Sequence, residues 1–348
     1  MPATSRATSH RGLWIGFGLG AVAFAALAFY GDMGDPRALA ARLREYDARW
    51  LLLGVLGATA NYAIRYLRWE LYLRRLDVRI PTTASARIFV AGFAMSISPG
   101  KLGEVVKSAL LAEEFDVPVA TSAPIVLAER LTDLIALVFL AAIGSLAVPT
   151  GRALAVPSLV LTGFLLAVFA IPSLGRTVLR WLGRVPLFAR IAPKLHTAHS
   201  ALVSMLSPSP LIGATLLAIA AWFLECVSLW AIVRGFPGVT LTIGESTFAY
   251  AAPTIAGAVA LMPGGLLVTE ASMTGTLRML GGSTMTGAIA ASTTVLVRLA
   301  TLWWAVLLGL CALAISRRAV RESSSTMPGT TGDAAEADGP EVTPVPGP

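Results

Sequence analysis

The chain alternates long apolar runs with short basic clusters. Runs at 12–30, 50–69, 123–148, 154–173, 210–234 and 287–316 approach or exceed the ~20 mainly apolar residues that a helix needs to cross a bilayer. Two further apolar stretches, 84–112 and 245–281, are broken internally, the first by Ser98-Pro99-Gly100 and the second by Met262-Pro263-Gly264-Gly265. Proline lacks the backbone donor and clashes with the preceding turn, so a helix stops or kinks there. The pattern predicts an all-α, polytopic helical membrane protein with about six full spans and two Pro-Gly-broken stretches.

The basic clusters orient these elements. Arg6 and Arg11 precede the first run, and Arg74, Arg75 and Arg79 follow the second. Arg176, Arg180, Arg184, Arg190 and Lys194 follow the fourth, and Arg317, Arg318 and Arg321 follow the last. Lysine and arginine mark the cytoplasmic side of short loops, which puts all four clusters and both termini in the cytoplasm. An even number of crossings must then separate residue 75 from residue 185, and the runs 123–148 and 154–173 supply them. The stretch 84–112 is therefore predicted to enter and leave on one side, as a re-entrant hairpin. The same count makes 245–281 re-entrant from the outer side. Broken backbone at membrane depth is tolerated where protein or water covers it.

The ends read simply. The run from Gly12 to Tyr30 is longer than the ~7–15 residue core of a secretion signal, so a retained span is expected. Residues 1–11 form a cytoplasmic N-terminus, 12–316 the membrane domain, and 317–348 a basic and then disordered cytoplasmic tail, too polar from Glu322 onward to bury a core. Residues 181–207 read either as an amphipathic helix on the cytoplasmic face or as an ordinary loop helix.

Composition agrees with this picture: 55% of residues are hydrophobic, 14% are charged, and the mean hydropathy is +0.73. A soluble domain carries roughly 25% charged residues. The net charge of +7 would suggest nucleic acid in a soluble protein. Here the cations flank apolar runs and read as topology determinants, so no nucleic-acid partner is expected. Cys226 and Cys311 fall inside apolar runs without metal-ligand spacing, and buried free thiols are expected.

The informative residues are charges inside apolar runs. Each ionisable group at the centre of a span costs on the order of 2.5–3.5 kcal/mol, so Glu129, Arg130 and Asp133 must face protein or water rather than lipid. Glu129 and Asp133 share a helical face, and Arg130 is placed to pair with Asp133. A structural clamp and a substrate site are both open for them. On the second run Asn61, Arg65 and Arg68 form one polar stripe; Arg68 and Trp69 could also be interfacial anchors, whereas Arg65 sits deeper. After the first break come Lys101, Glu104 and Lys107 at helical spacing. A half-helix starting there exposes unpaired N–H groups and a positive dipole end suited to phosphate or carboxylate. The second break leads to Glu270, with Arg298 in the last run. Glu225 lies alone in the fifth run, either a proton-binding acid or a hydrogen-bonded structural group.

A faint internal repeat links these features. Pro99-Gly100 precedes Arg130-Leu131 by 31 residues, and Pro263-Gly264 precedes Arg298-Leu299 by 35. By the parity count the two units have opposite orientations, as in inverted-repeat transporters whose ligand site lies between broken helices.

Four motifs in order carry a resemblance: Arg65-Tyr66-Leu67-Arg68-Trp69; Ser98-Pro99-Gly100-Lys101-Leu102-Gly103-Glu104; Ala128-Glu129-Arg130-Leu131-Thr132-Asp133; and Met262-Pro263-Gly264-Gly265 with Glu270. Together, across about residues 12–316, they resemble the flippase-like membrane domain of lysylphosphatidylglycerol synthases, in its stand-alone form. The resemblance implies a helical membrane fold with re-entrant segments, and movement of a charged or glycosylated lipid between leaflets. Two positions depart from the family pattern. Lys101 stands where arginine is usual, keeping the charge but losing the bidentate fork. Leu267 stands where glycine is usual. The soluble catalytic domain of the synthases has no counterpart in the short polar segment after Ile315, so synthase activity is not expected.

The leading functional expectation is a lipid translocase of a bacterial inner membrane, acting on an anionic, aminoacylated, glycosylated or polyprenyl-linked phospholipid. Its substrate-binding candidates are Asn61, Arg65, Arg68, Lys101, Glu104, Lys107, Glu129, Arg130, Asp133, Glu225, Glu270 and Arg298. Its re-entrant breaks are Pro99, Gly100, Gly103, Pro263, Gly264 and Gly265. The alternative is a non-transporting membrane partner that recruits or regulates an envelope enzyme. An intramembrane enzyme fits less well, because no Ser/His/Asp set, HExxH or Asp-rich metal pair appears and His10, His196 and His199 lie outside the runs. No cofactor or metal is expected, and a homodimer is compatible with the sequence.

Overall fold

The computed structural model describes residues 44–98, 102–148, 207–260 and 262–325, together with Gly151, Met205 and part of 156–164. The run 12–30, most of 154–173, nearly all of the basic stretch 181–207 and the tail beyond Ser325 lie outside the described residues. So do Pro99, Gly100 and Lys101.

Among the described residues the fold is helical throughout. Its elements are α1 (Ala48–Arg75), α2 (Thr82–Gly92), α3 (Val106–Phe115), α4 (Pro124–Ser145), α5 (Pro208–Arg234), α6 (Ile243–Val259), α7 (Val268–Leu280), α8 (Gly287–Arg298) and α9 (Trp304–Ser325). A π-helical turn, Leu299–Trp303, joins α8 to α9. Two helices are long and apolar enough to cross a membrane, Pro208–Arg234 and Gly287–Ser316. Their limits are encoded locally. Pro208 opens α5 at a position where its missing N–H would be unpaired anyway. Thr242 and Glu245 cap α6 reciprocally, and the Thr286 hydroxyl accepts from the Ile289 amide at the start of α8.

Helices α1 and α5 form the central pair and run antiparallel. Trp50 packs on Trp230 with ring centroids 6.0 Å apart, Asn61 donates to the Ala221 carbonyl at 2.6 Å, and Arg75 reaches the Ser207 hydroxyl at 3.4 Å. Gly54 and Gly57 permit the approach: a Cβ on either would stand 2.8 Å from Ile232 Cγ1 or 2.5 Å from Ser228 Oγ.

The first broken stretch is a hairpin. Helix α2 runs back along α1, with Trp69 donating to Ser85 at 3.1 Å and with ring contacts Tyr66–Phe89 at 5.7 Å and Tyr62–Phe93 at 5.0 Å. The chain turns through Phe93–Met95 and Leu102–Val105, and α3 returns beside α2. Lys107 lies against Gly92, and Arg87 pairs with Glu114. Both ends of the hairpin thus sit at the Arg75 end of α1. Its tip reaches the level of Tyr62, roughly 20 Å up that helix at 1.5 Å per residue.

The second broken stretch does the same from the opposite end. Helix α6 starts beside the end of α4, where a Cβ on Gly144 would stand 2.6 Å from the Phe248 amide. Helix α7 returns to the end where α5 finishes, since Met273, Leu277 and Met285 share a core cluster with Phe236, Val239 and Leu241. The two tips meet: Ile97 of the first packs with Leu266 of the second, Leu302 and Val306.

The contacts have a two-fold logic. The first hairpin packs on α9, the through-helix of the second half, and the second hairpin packs on α4, the through-helix of the first. With α1 and α5 antiparallel, this is the arrangement that an inverted repeat produces.

Two expectations need correction. Arg68 and Trp69 are not interfacial anchors, because both are fully buried among protein groups. Cys226 is buried as expected, but Cys311 is exposed on the outer face of α9.

Candidate functional site

The hairpin tips and the through-helices enclose a cavity of about 340 Å³. Its wall draws on both halves: Asn61, Tyr62 and Arg65 from α1; Ser96 and Ser98 from the first tip; Arg130, Asp133, Leu134 and Leu137 from α4; Trp222 and Glu225 from α5. The second half adds Tyr250 and Thr254 from α6, Gly264 and Gly265 from the second tip, Thr269 from α7, and Arg298 and Thr301 from the last helix. The volume lies within the range of ligand pockets, about 300–1,000 Å³.

Of the charged and amide candidates, Asn61, Arg65, Arg130, Asp133, Glu225 and Arg298 face the cavity. Arg68, Glu104, Lys107, Glu129 and Glu270 stand behind it. These five hold the wall in place. Arg68 is fully buried and gives Asp133 a 2.7 Å ion pair and Thr132 a 3.1 Å hydrogen bond. Trp222 also donates to Asp133, at 3.0 Å, and Arg130 approaches it at 3.2 Å. Lys107 pairs with Glu129 at 2.7 Å while its ammonium stands 4.7 Å from the Trp69 ring centroid and 5.5 Å from that of Phe89. Glu104 is the hub, 3.3 Å from Arg130 and 3.7 Å from each of Arg65 and Lys107. A buried ion that loses its partner costs about 3–5 kcal/mol, so this network fixes the relative positions of α1, the first hairpin and α4.

Arg65 differs from the rest. It faces the cavity, is 7% exposed, and stacks its guanidinium 5.1 Å from the Phe93 ring centroid. Among the described residues its acid partner is Glu104, which stands 3.7 Å from Nη2, and neither Nε nor Nη2 makes a hydrogen bond to a described residue. The Asn61 carboxamide oxygen and Arg130 Nε, both in wall residues, are likewise unbonded. Buried polar atoms of this kind are normally satisfied, and an anion in the cavity would satisfy the arginine nitrogens.

The second tip is built around positive-φ backbone. Gly264, Gly265 and Leu267 have φ of +62°, +68° and +71°, folding Pro263–Leu267 into successive tight turns. Its carbonyl and acid are held by one side chain: Arg298 donates from Nη2 to the Gly264 carbonyl at 2.7 Å, and its Nε stands 2.5 Å from Glu270. In the first tip Gly103 does comparable work. Its amide donates to Ser98 Oγ at 2.7 Å, and a Cβ there would stand 2.8 Å from Met95 Cβ.

Sequence reasoning missed the neutral partners. Tyr62 donates to the Thr301 carbonyl at 2.5 Å, within the π-helical turn, and Tyr250 donates to Glu225 at 3.2 Å. Tyrosines in a span carry no insertion penalty that would draw notice. The one available signal for Tyr62 was its spacing, next to Asn61 and three residues before Arg65.

A family model, the lysylphosphatidylglycerol synthase TM region, matches residues 13–309. No curated protein matches the chain.

Proposed function

From the membership of this chain in the lysylphosphatidylglycerol synthase TM region family, and from the cavity between its hairpins, we propose that it carries a lipid with an anionic headgroup between membrane leaflets. The observation that carries this reading is Arg65, a buried, cavity-facing guanidinium whose Nε makes no hydrogen bond and whose Nη2 reaches Glu104 only as a 3.7 Å ion pair. Charge is expensive in hydrocarbon, and in membrane proteins it concentrates at ligand pathways.

On this reading the phosphate docks against Arg65 and the exposed sides of Arg130 and Arg298. The Ser96 and Ser98 hydroxyls donate to its oxygens, and the unbonded Asn61 carboxamide oxygen accepts from a hydroxyl or amine on the headgroup. Asp133 and Glu225 offer acceptors to an amine or hydroxyl on the same headgroup, which suits aminoacylated or glycosylated lipids. The tails stay in hydrocarbon while the headgroup crosses. The protein acts as a transporter rather than an enzyme, in a bacterial inner membrane, with the Arg74–Arg75 end cytoplasmic. The driving energy is an ion or lipid gradient.

The test is a leaflet-resolved lipid assay in vesicles. Arg65→Gln should slow translocation of an anionic phospholipid by about tenfold or more, the worth of a charge-assisted hydrogen bond, with protein level and thermal stability retained. Unchanged translocation by a stably folded Arg65→Gln protein would count against the reading.

A further inference from the structure

Arg130 and Arg298 occupy equivalent places in the two halves. Each follows a hairpin, each lines the cavity, and each is paired to an acid of that hairpin which does not line it. Arg130 Nη2 stands 3.3 Å from Glu104, and Arg298 Nε stands 2.5 Å from Glu270. A guanidinium presents five donors in a planar fork, so one edge can hold the hairpin acid while another faces the cavity.

The two pairs are unequal. Arg298 grips its hairpin twice, through Glu270 and through the Gly264 carbonyl at 2.7 Å. Arg130 divides its charge between Glu104 and Asp133, and Glu104 is in turn shared with Arg65 and Lys107 at 3.7 Å each. The Arg130 side chain is also more open, 21% exposed against 10% for Arg298.

We propose that Arg130–Glu104 and Arg298–Glu270 are twin latches, each holding one hairpin tip, and that an anionic headgroup opens them by drawing the arginine off its acid. The inference rests on the translocase reading and adds its moving parts: Glu104 and Glu270 are positioning residues that never touch the lipid. The first latch is the looser and yields first, which leaves the second hairpin as the fixed wall in this conformation. A ligand shifts a conformational equilibrium only by binding its states differently. Here the difference is competition between two anions, carboxylate and headgroup, for one cation.

The test uses the full chain in nanodiscs of phosphatidylcholine, with or without phosphatidylglycerol, read by hydrogen–deuterium exchange. In the wild-type protein, phosphatidylglycerol should speed amide exchange in both hairpin tips, more in 93–106 than in 262–270. Glu270→Gln should speed exchange in 262–270 by about tenfold without any anionic lipid, the loss of one charge-assisted contact. Phosphatidylglycerol should then add little there. Slower or unchanged exchange in both tips of the wild-type protein overturns the latches, and that arm needs no variant to fold. Unchanged exchange in a Glu270→Gln protein of normal melting temperature overturns the second latch. Leaflet-resolved translocation, measured in parallel, separates the two ideas. Transport without a tip response rejects the latches alone, and a tip response without transport keeps the latches and rejects translocation.

Discussion

Leu267 holds φ at +71° and ψ at −54° just before α7. L-residues avoid this region, and holding one there costs about 1–3 kcal/mol. The strain fits the expectation, drawn from the resemblance, that glycine would suit this position better. Leu267→Gly and Leu267→Ala both remove the half-buried side chain, but only glycine relieves the backbone. The glycine variant should therefore be the more stable by about 1 kcal/mol, after its greater unfolded-chain entropy is subtracted. Thermal unfolding in detergent compares the pair, and equal stability would show that the turn relaxes around leucine. The same scale shows what a sequence conceals. The cost of burying charge singled out Glu129, Arg130 and Asp133 as groups that must face protein or water, and depth singled out Arg65, while Arg68 was left open as an interfacial anchor. Neither signal showed that Arg65 faces the cavity while Arg68, one turn on, is sealed against Asp133. That distinction depends on how helices rotate against one another, which no single helix encodes.

Between elements, the decisive contacts are glycines. Gly309 of α9 meets the first hairpin, where an added Cβ would stand 2.2 Å from the Ala94 amide nitrogen. Gly144 of α4 meets the second, 2.6 Å from the Phe248 amide nitrogen. In both cases the obstacle is backbone, which cannot swing aside as a side chain can, so the hairpin must shift. Gly309→Ala and Gly144→Ala should each lower stability by about 1–3 kcal/mol, the usual penalty of overpacking, and should slow translocation as well. Gly213→Ala on α5 is the control. Its Cβ would meet nothing closer than Leu71 at 3.7 Å, so that variant should be neutral or stabilised by up to about 1 kcal/mol. Melting curves of the three check this; equal destabilisation of all three would mean that these backbone contacts are not what decides stability, since helix propensity alone favours alanine over glycine at each position. The hairpins themselves were legible as elements, because a Pro-Gly interruption in an apolar stretch and an even crossing count leave few alternatives. Their partners were not. Nothing in the order of the residues says that the first hairpin packs on α9 rather than on α4.

For the whole molecule, parity and packing make one joint statement: each hairpin begins and ends on its own side of the protein, and the two sides differ. The first hairpin leaves and returns at the Arg75 end of α1, where Ser207 opens α5; the second leaves and returns at the other end, where α5 finishes. On the proposed orientation, in which the basic clusters are cytoplasmic, the flanks of the first hairpin would face the cytoplasm and those of the second would face outward. Single cysteines test this in a Cys226→Ser, Cys311→Ser background, since exposed Cys311 would otherwise react. Thr83 and Glu113 flank the first hairpin, Thr240 and Ser283 flank the second, and all four are exposed. Thr83→Cys and Glu113→Cys should react with a membrane-impermeant maleimide only when the cytoplasmic side is open. Thr240→Cys and Ser283→Cys should react in intact cells. Opposite labelling of Thr83→Cys and Glu113→Cys would turn the first hairpin into a span. It would also remove the mid-membrane junction, and with it the reason for Arg65 to lie where a headgroup could meet it. Labelling of each pair on its own side would fix the inverted orientation that the antiparallel α1–α5 pair implies, because two halves that cross in opposite directions present their hairpins to opposite leaflets.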